Sequence, residues 1–296
     1  MSVLRALRLP LASLGLALLG PAAGAVAEVV EIKVCAGQAE SAHLRTVERA
    51  ALLLEGRGIR LALVAAGSMS DGLDRLAAGG CDAALTQGDA LYLMQAERGM
   101  GRLPVVAPLR LYEEFVHLIC RRDSMVDGLI GFMRHPEDRS LIVGPAGSGA
   151  ALTWQSLAGL DARLAAVRTE EIEGDAALDR LGAEGANACL LHVAPLGSAF
   201  VSQVGESGPG LRLVPLDIWY LNQAEDMATS FYRSSRIPAE TYGSLQRDLD
   251  EPAVETVVVG VFLVTRKDWA KAHAQAYGAV REAMMLAAPQ IPARID

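Results

Sequence analysis

Apolar positions along the chain follow two alternating rhythms. In Val29–Ala36, Ile59–Ala65 and Asp82–Thr86 the apolar residues are nearly continuous over a short run, as in buried strands. In Ala42–Glu55, Met69–Ala78 and Ala90–Arg98 they recur every third or fourth residue, which predicts helices. Gly56, Gly58, Gly79 and Gly80 stand at the joints, where helices stop. Two extended runs follow, Val105–Leu111 and Phe115–Arg121, joined by a turn at Tyr112-Glu113-Glu114. The alternation then restarts. Ser140–Val143, Ala188–Val193 and Leu211–Pro215 read as strands, and Ala150–Ala158, Asp175–Ala183 and Pro195–Val204 as helices. A long β-rich run, Val254–Arg266, precedes a last helix, Trp269–Ala287. Strands alternating with helices predict an α/β chain built on parallel sheet. The restart predicts two such units, with the long runs near 105–121 and 254–266 crossing between them. In open α/β sheets ligands sit at the carboxyl ends of strands, beside helix N-termini, so a cleft between the units is the expected site.

The first 27 residues stand outside this pattern. A basic start (Arg5, Arg8), an apolar run and the small-x-small end Ala25-Val26-Ala27 read as a secretory signal peptide cut after Ala27, which predicts a periplasmic location. Pro10 and Pro21 leave the run short of the ~20 apolar residues that a spanning helix needs. The chain carries a formal charge of −8 with no Lys/Arg-rich cluster, so nucleic acid is not an expected partner. Its four cysteines, Cys35, Cys81, Cys120 and Cys189, lie in or beside apolar strand-like runs. An oxidising compartment allows pairing, but their setting favours small buried hydrophobes, and their spacing matches no zinc pattern.

Four strand-to-helix turns carry small or polar residues: "CAGQAESAH" (35–43), "VAAGSMSDG" (64–72), "LTQGDA" (85–90) and "VGPAGSGA" (143–150). Ser41, Ser68 or Ser70, Asp89 and Ser148 are candidate helix caps. Backbone amides at the last turn, around Gly147, Ser148 and Gly149, form a seat for an anion at a helix N-terminus. It is not a phosphate-transfer loop, because Ala150 and Ala151 stand where Lys and Ser/Thr should be. No dinucleotide fingerprint opens the first unit. Ser70 and Ser148 lack the glycine of a hydrolase elbow two residues before them. The five histidines are isolated, His117 and His192 read as structural residues on strands, and Glu113-Glu114 reads as solvated turn charge. The turns therefore point to holding an anion, most simply a carboxylate, rather than to catalysis or a cofactor.

The order of these motifs resembles one family, the TAXI-type extracytoplasmic solute receptors of TRAP transporters. "GSMSDGLDRLAAGGCDAALTQGDAL" is similar to its Gly-Ser turn, helix and Gln-x-Asp strand end. "PLRLYEEFVHLICRRDS" resembles its crossing strands, "LIVGPAGSGA" its second-lobe loop, and "IPAETYGSLQRDLDEPAVETVVVGVFLVTRKD" its Ile-Pro-x-x-x-Tyr segment and following β run. The resemblance implies a type II periplasmic-binding-protein fold, with two α/β domains joined by crossing strands and a ligand cleft between them. It places lobe I at 28–111 plus 262–296 and lobe II at 112–261. It implies a non-enzymatic receptor, without cofactor, that captures a small carboxylate such as glutamate or a dicarboxylate by hinge closure and delivers it to a TRAP permease. A ligand sensor feeding a membrane kinase or cyclase is the alternative on the same fold. The implied contacts are Gly37, Gln38, Glu40 and Ser41 in the first turn and Gly67 and Ser68 in the second. Gln87 and Asp89 follow in the third, and Gly147, Ser148 and Gly149 in the fourth. Tyr112 would face the cleft, and Arg110 beside it is a candidate bidentate partner for a carboxylate. The first loop departs from the family pattern: Glu40 and Ser41 replace a paired glycine, and His43 with Leu44 an aromatic pair. The added acid implies either a ligand with an amino group or a pocket that has moved away from the family's solutes.

Overall fold

The computed structural model describes residues 29–37, 41–97, 105–183, 187–208, 210–216, 231–247 and 253–288. The signal-peptide segment, Gln38 and Glu40 lie outside them.

The first unit places β1 (Val30–Ala36) between β2 (Ile59–Ala65) and β3 (Ala83–Gln87), parallel to both. Helices α1 (Ala42–Leu53), α2 (Met69–Ala78) and α3 (Gly88–Glu97) follow the strands in turn. Their ends are set locally. Ser68 caps α2 by accepting from Asp71 N at 3.1 Å, and Gly79, at φ 78°, closes it with its N–H on Arg75 and Leu76 carbonyls. The second unit carries β5 (Ser140–Ile142) parallel to β6 (Arg168–Glu170) and to β7 (Ala188–Ala194). Around these strands lie α4 (Leu129–Arg134), α5 (Gly149–Leu160), α6 (Ala162–Ala165), α7 (Gly174–Gly182) and α8 (Ala199–Glu206).

Two long strands join the units. β4 (Leu109–Arg121) and β10 (Val254–Thr265) run antiparallel side by side. On its other edge β10 pairs with β9 (Tyr232–Ile237) along its first half and with β3 along its second. β4 pairs with β7 and with β8 (Leu211–Leu213). The result is one mixed ten-stranded sheet of order β2-β1-β3-β10-β4-β7-β5-β6, with β8 and β9 branching from the central pair. β10 is buried at ten of its twelve positions, as expected of a strand with neighbours on both edges and helices on its faces.

Each unit has its own core. In the first, Ile32, Val34, Val47 and Leu54 pack against Val280 and Met284 of the last helix, so the chain's end returns to its beginning. In the second, Phe132, Leu141, Trp154 and Leu157 form the centre. A wholly buried side chain such as Phe132 contributes roughly 2–3 kcal/mol.

Several local expectations change. The turn expected at 112–114 does not exist, because β4 runs unbroken through it, so alternation sends Glu113 and Glu114 to opposite faces. The expected last helix is two, α9 (Lys267–Ala272) and α10 (Ala274–Ala287). They part at His273, whose Nδ1 sits 3.2 Å from Trp269 O and whose ring lies against the Trp269 indole. The helix expected from Pro195 starts only at Ala199, since Gly197 takes φ 74° and Ser198 caps. The cysteines are paired, Cys35 with Cys81 and Cys120 with Cys189, and all four are buried. The second pair are direct partners across the β4–β7 ladder, a proximity that no linear spacing reveals.

Candidate functional site

A cavity of about 790 Å³ lies between the two units. Five helices start on it. Ser41 and Ala42 of α1 and Ser68 and Met69 of α2 reach it from the first unit. Ser148 and Gly149 of α5, Gly174 of α7, and Ser198 and Ala199 of α8 reach it from the second. Four of the five begin with a serine cap that accepts from an N–H of the first turn: Leu44, Asp71, Ala151 and Val201. The caps take one amide each, and the remaining N-terminal partial charge falls on the cavity.

The floor is polar and is built from α1, β3 and the crossing strand β4. Glu114, 4% exposed, accepts from Gln87 Nε2 at 2.8 Å. His43, 5% exposed, holds its Nε2 3.4 Å from the Glu114 carboxyl, and that nitrogen makes no hydrogen bond. Arg45 and Glu173 are exposed and stand at the margin on opposite sides. The facing wall is largely apolar: Ile172, Leu190, Val193, Leu196 and Phe200, with the His192 ring tilted against Phe200 at a centroid distance of 4.8 Å.

A second polar system holds that wall in shape. Tyr242 OH accepts from the Gly197 and Ser198 amides at 2.9 and 3.2 Å, which fixes the turn before α8. The same hydroxyl lies 3.0 Å from His117 Nε2, and His117 Nδ1 lies 3.3 Å from His192 O. A carbonyl can only accept, so Nδ1 carries the proton and the Tyr242 hydroxyl donates to Nε2. Burial lowers His117 to about 3 and His192 to about 4, which keeps both rings neutral near pH 7.

Behind the cavity the units are sewn together. Asp89 is fully buried and accepts from Thr153 Oγ1, Tyr232 OH and Ala90 N, each at 2.7 Å. Burial pushes its carboxyl above the usual range, and the nearby Glu114 charge pushes the same way. At the rim, Ser70 N donates to Gly147 O at 3.2 Å, and a Cβ on Gly147 would stand 2.1 Å from Ser70 Oγ.

The cavity thus gathers Gly37, Ser41, Ser68, Gln87, Ser148 and Gly149 from the residues singled out in the sequence. Other candidates go elsewhere. Gly67 N is taken by the Asp71 carboxylate, and Gly147 abuts Ser68 and Ser70 rather than open space. Asp89 caps nothing for the cavity and lies in the seam. Arg110 is exposed and pairs with Glu113, and Tyr112 is buried against Val261 and Ala288. Sequence reasoning missed Glu114, His43 and Phe200. The alternation in Leu109–Arg121, read as one strand, would have turned Glu114 inward; nothing local marks Phe200.

Among the described residues no cluster of His, Cys, Asp and Glu is arranged to hold a metal ion, and no helix is long and apolar enough to cross a membrane. No protein-family model matches the sequence, and no curated protein does. Solved structures match in shape. A protein from Bordetella bronchiseptica RB50 superposes with a TM-score of 0.53 at 13% identity, over 87% of this chain and 70% of its own. Lactococcal OpuAC, solved in a closed-liganded conformation with glycine betaine, does so with a TM-score of 0.50 at 11% identity, over 86% of this chain and 87% of its own. The chain has the two-lobed α/β fold of the type II periplasmic-binding kind. At such identities the likeness is one of fold.

Proposed function

We propose that this chain is an extracytoplasmic solute-binding protein that captures a small carboxylate between its lobes and closes on it. The observation that carries this reading is the convergence of five helix N-termini on one interlobe cavity, whose buried floor includes His43 with its Nε2 lacking a hydrogen bond. The moving bodies are residues 28–111 with 262–296 and residues 112–261, hinged on β4 and β10. The motif order of a TAXI-type receptor, together with the signal-peptide pattern of the first 27 residues, supports a periplasmic location and delivery to a TRAP-type permease.

The test is thermal unfolding and calorimetry of the protein lacking residues 1–27 against amino acids, dicarboxylates, oxo-acids and phosphate. A ligand at 1,000 times its Kd stabilises the folded state by about 4 kcal/mol. Ser148→Trp fills the α5 end of the cavity and should abolish that binding with the fold intact. Unchanged affinity in this variant would remove the site assignment, and uptake in vesicles carrying the permease, with and without the protein, tests delivery.

A further inference from the structure

The cavity is chemically divided, and the division says more about the ligand than its acidity does. The helix N-termini supply positive potential around the walls. The floor holds the opposite sign. Among the described residues Glu114 has one hydrogen-bond donor, Gln87 Nε2, while a buried carboxylate has room for about four. Its neighbour His43 Nε2, 3.4 Å from the Glu114 carboxyl, is a second buried polar atom without a hydrogen bond. A buried acid short of donors is costly unless a charged donor arrives. Facing it, Leu190, Leu196 and Phe200 form an apolar wall with no charged group among them. A second carboxylate set against Glu114 or against this wall would be unfavourable.

We infer that the ligand is a zwitterion with an apolar side chain, an α-amino acid of the leucine or phenylalanine kind, whose ammonium donates to Glu114, whose carboxylate lies at the helix N-termini and whose side chain packs against Phe200. This deepens the solute-receptor reading and rests on it. The Gln87–Glu114 bond fixes the acid's orientation, and the Tyr242–His117 system fixes the wall that the side chain meets.

Calorimetry on the native protein decides between this ligand and others, with L-leucine, L-phenylalanine, 4-methylpentanoate (no amine), 3-methylbutylamine (no carboxylate), L-glutamate and succinate as probes. The expected result is binding of leucine or phenylalanine, with at least 100-fold loss on removing the amine and a loss of similar size on removing the carboxylate. Glu114→Gln should weaken the amino acid at least 30-fold; Phe200→Ala should cost leucine more than alanine. The probe series uses unaltered protein, so it stands whether or not a variant folds. If 4-methylpentanoate binds within threefold of leucine, the ammonium site is overturned. If succinate or glutamate binds and the apolar amino acids do not, this inference fails while the carboxylate receptor stands. If no acid in the series binds, both fall.

Discussion

Two carboxyl groups, Asp89 and Glu114, are almost wholly removed from solvent in this molecule, and they are treated differently. Asp89 sits in the seam behind the cavity with three donors at 2.7 Å, two from the second lobe and one from its own helix. Glu114 sits at the cavity floor with one donor and a histidine nitrogen 3.4 Å away. Gln87 and Thr153 connect them, but Thr153 has a single hydroxyl proton. The 2.7 Å contact to Asp89 takes it in preference to the 3.4 Å contact to Gln87. Burial alone therefore does not separate a structural acid from a binding one. The number of donors left over does: a satisfied acid locks the fold, and an unsatisfied one waits for a partner.

The sharpest way to break this contrast is to remove each acid. Asp89→Ala strands the Thr153 and Tyr232 hydroxyls in a dry seam and should lower the unfolding free energy by about 3 to 5 kcal/mol. Glu114→Ala should lower it by less than about 1 kcal/mol, because water can enter the cavity. Equal losses in urea titrations would erase the distinction. Next comes the rim of the seam. Gly147→Val puts a branched side chain at φ 74° onto Ser70 Oγ and should disfavour the closed arrangement by about 1 to 3 kcal/mol. Small-angle scattering should show a larger radius of gyration than the native protein; an unchanged radius would mean that this contact does not govern closure.

His117 extends the comparison to a neutral group that is as fully satisfied as Asp89. Its folded-state value, about 3, lies below the usual 6.5, so its contribution is fully present above pH 6.5 and is lost as pH falls toward 3. Between pH 7 and pH 5 that amounts to about 2 kcal/mol, and His117→Gln should flatten the stability curve by this much. Glu170, outside both regions, gives a smaller effect than His117. Arg180 holds its carboxylate down to about 2, so its contribution is present above about pH 4.5 and lost below. For this half-buried pair the loss between pH 5 and pH 3 should be about 1 kcal/mol, absent in Glu170→Gln.

Much of the fold was legible because it is local. The strands Ile59–Ala65 and Val254–Thr265 and the helix Met69–Ala78 follow from apolar rhythm and glycine stops. The serine caps at 41, 68 and 148 were legible for the same reason. What escaped depends on distant parts of the chain. Glu114 reads as turn charge because three polar-capable residues interrupt two apolar runs; pairing with β10 through Tyr112, Glu113 and Glu114 holds that stretch straight. The short β6 and β9 carry little pattern of their own and exist through their neighbours. Asp89 fitted a cap position equally well, and its role in the seam rests on Tyr232, 143 residues away.

The place of β10 also dictates an order of assembly. β3 and β4 are not bonded to each other; β10 lies between them, and it is made only after residue 253. Until then the growing chain holds two half-sheets with bare, largely apolar edges. Such edges invite pairing with other chains, and a contact this remote in sequence closes slowly. The same strand that joins the two half-sheets in the finished protein therefore makes its immature form the stage most in need of protection.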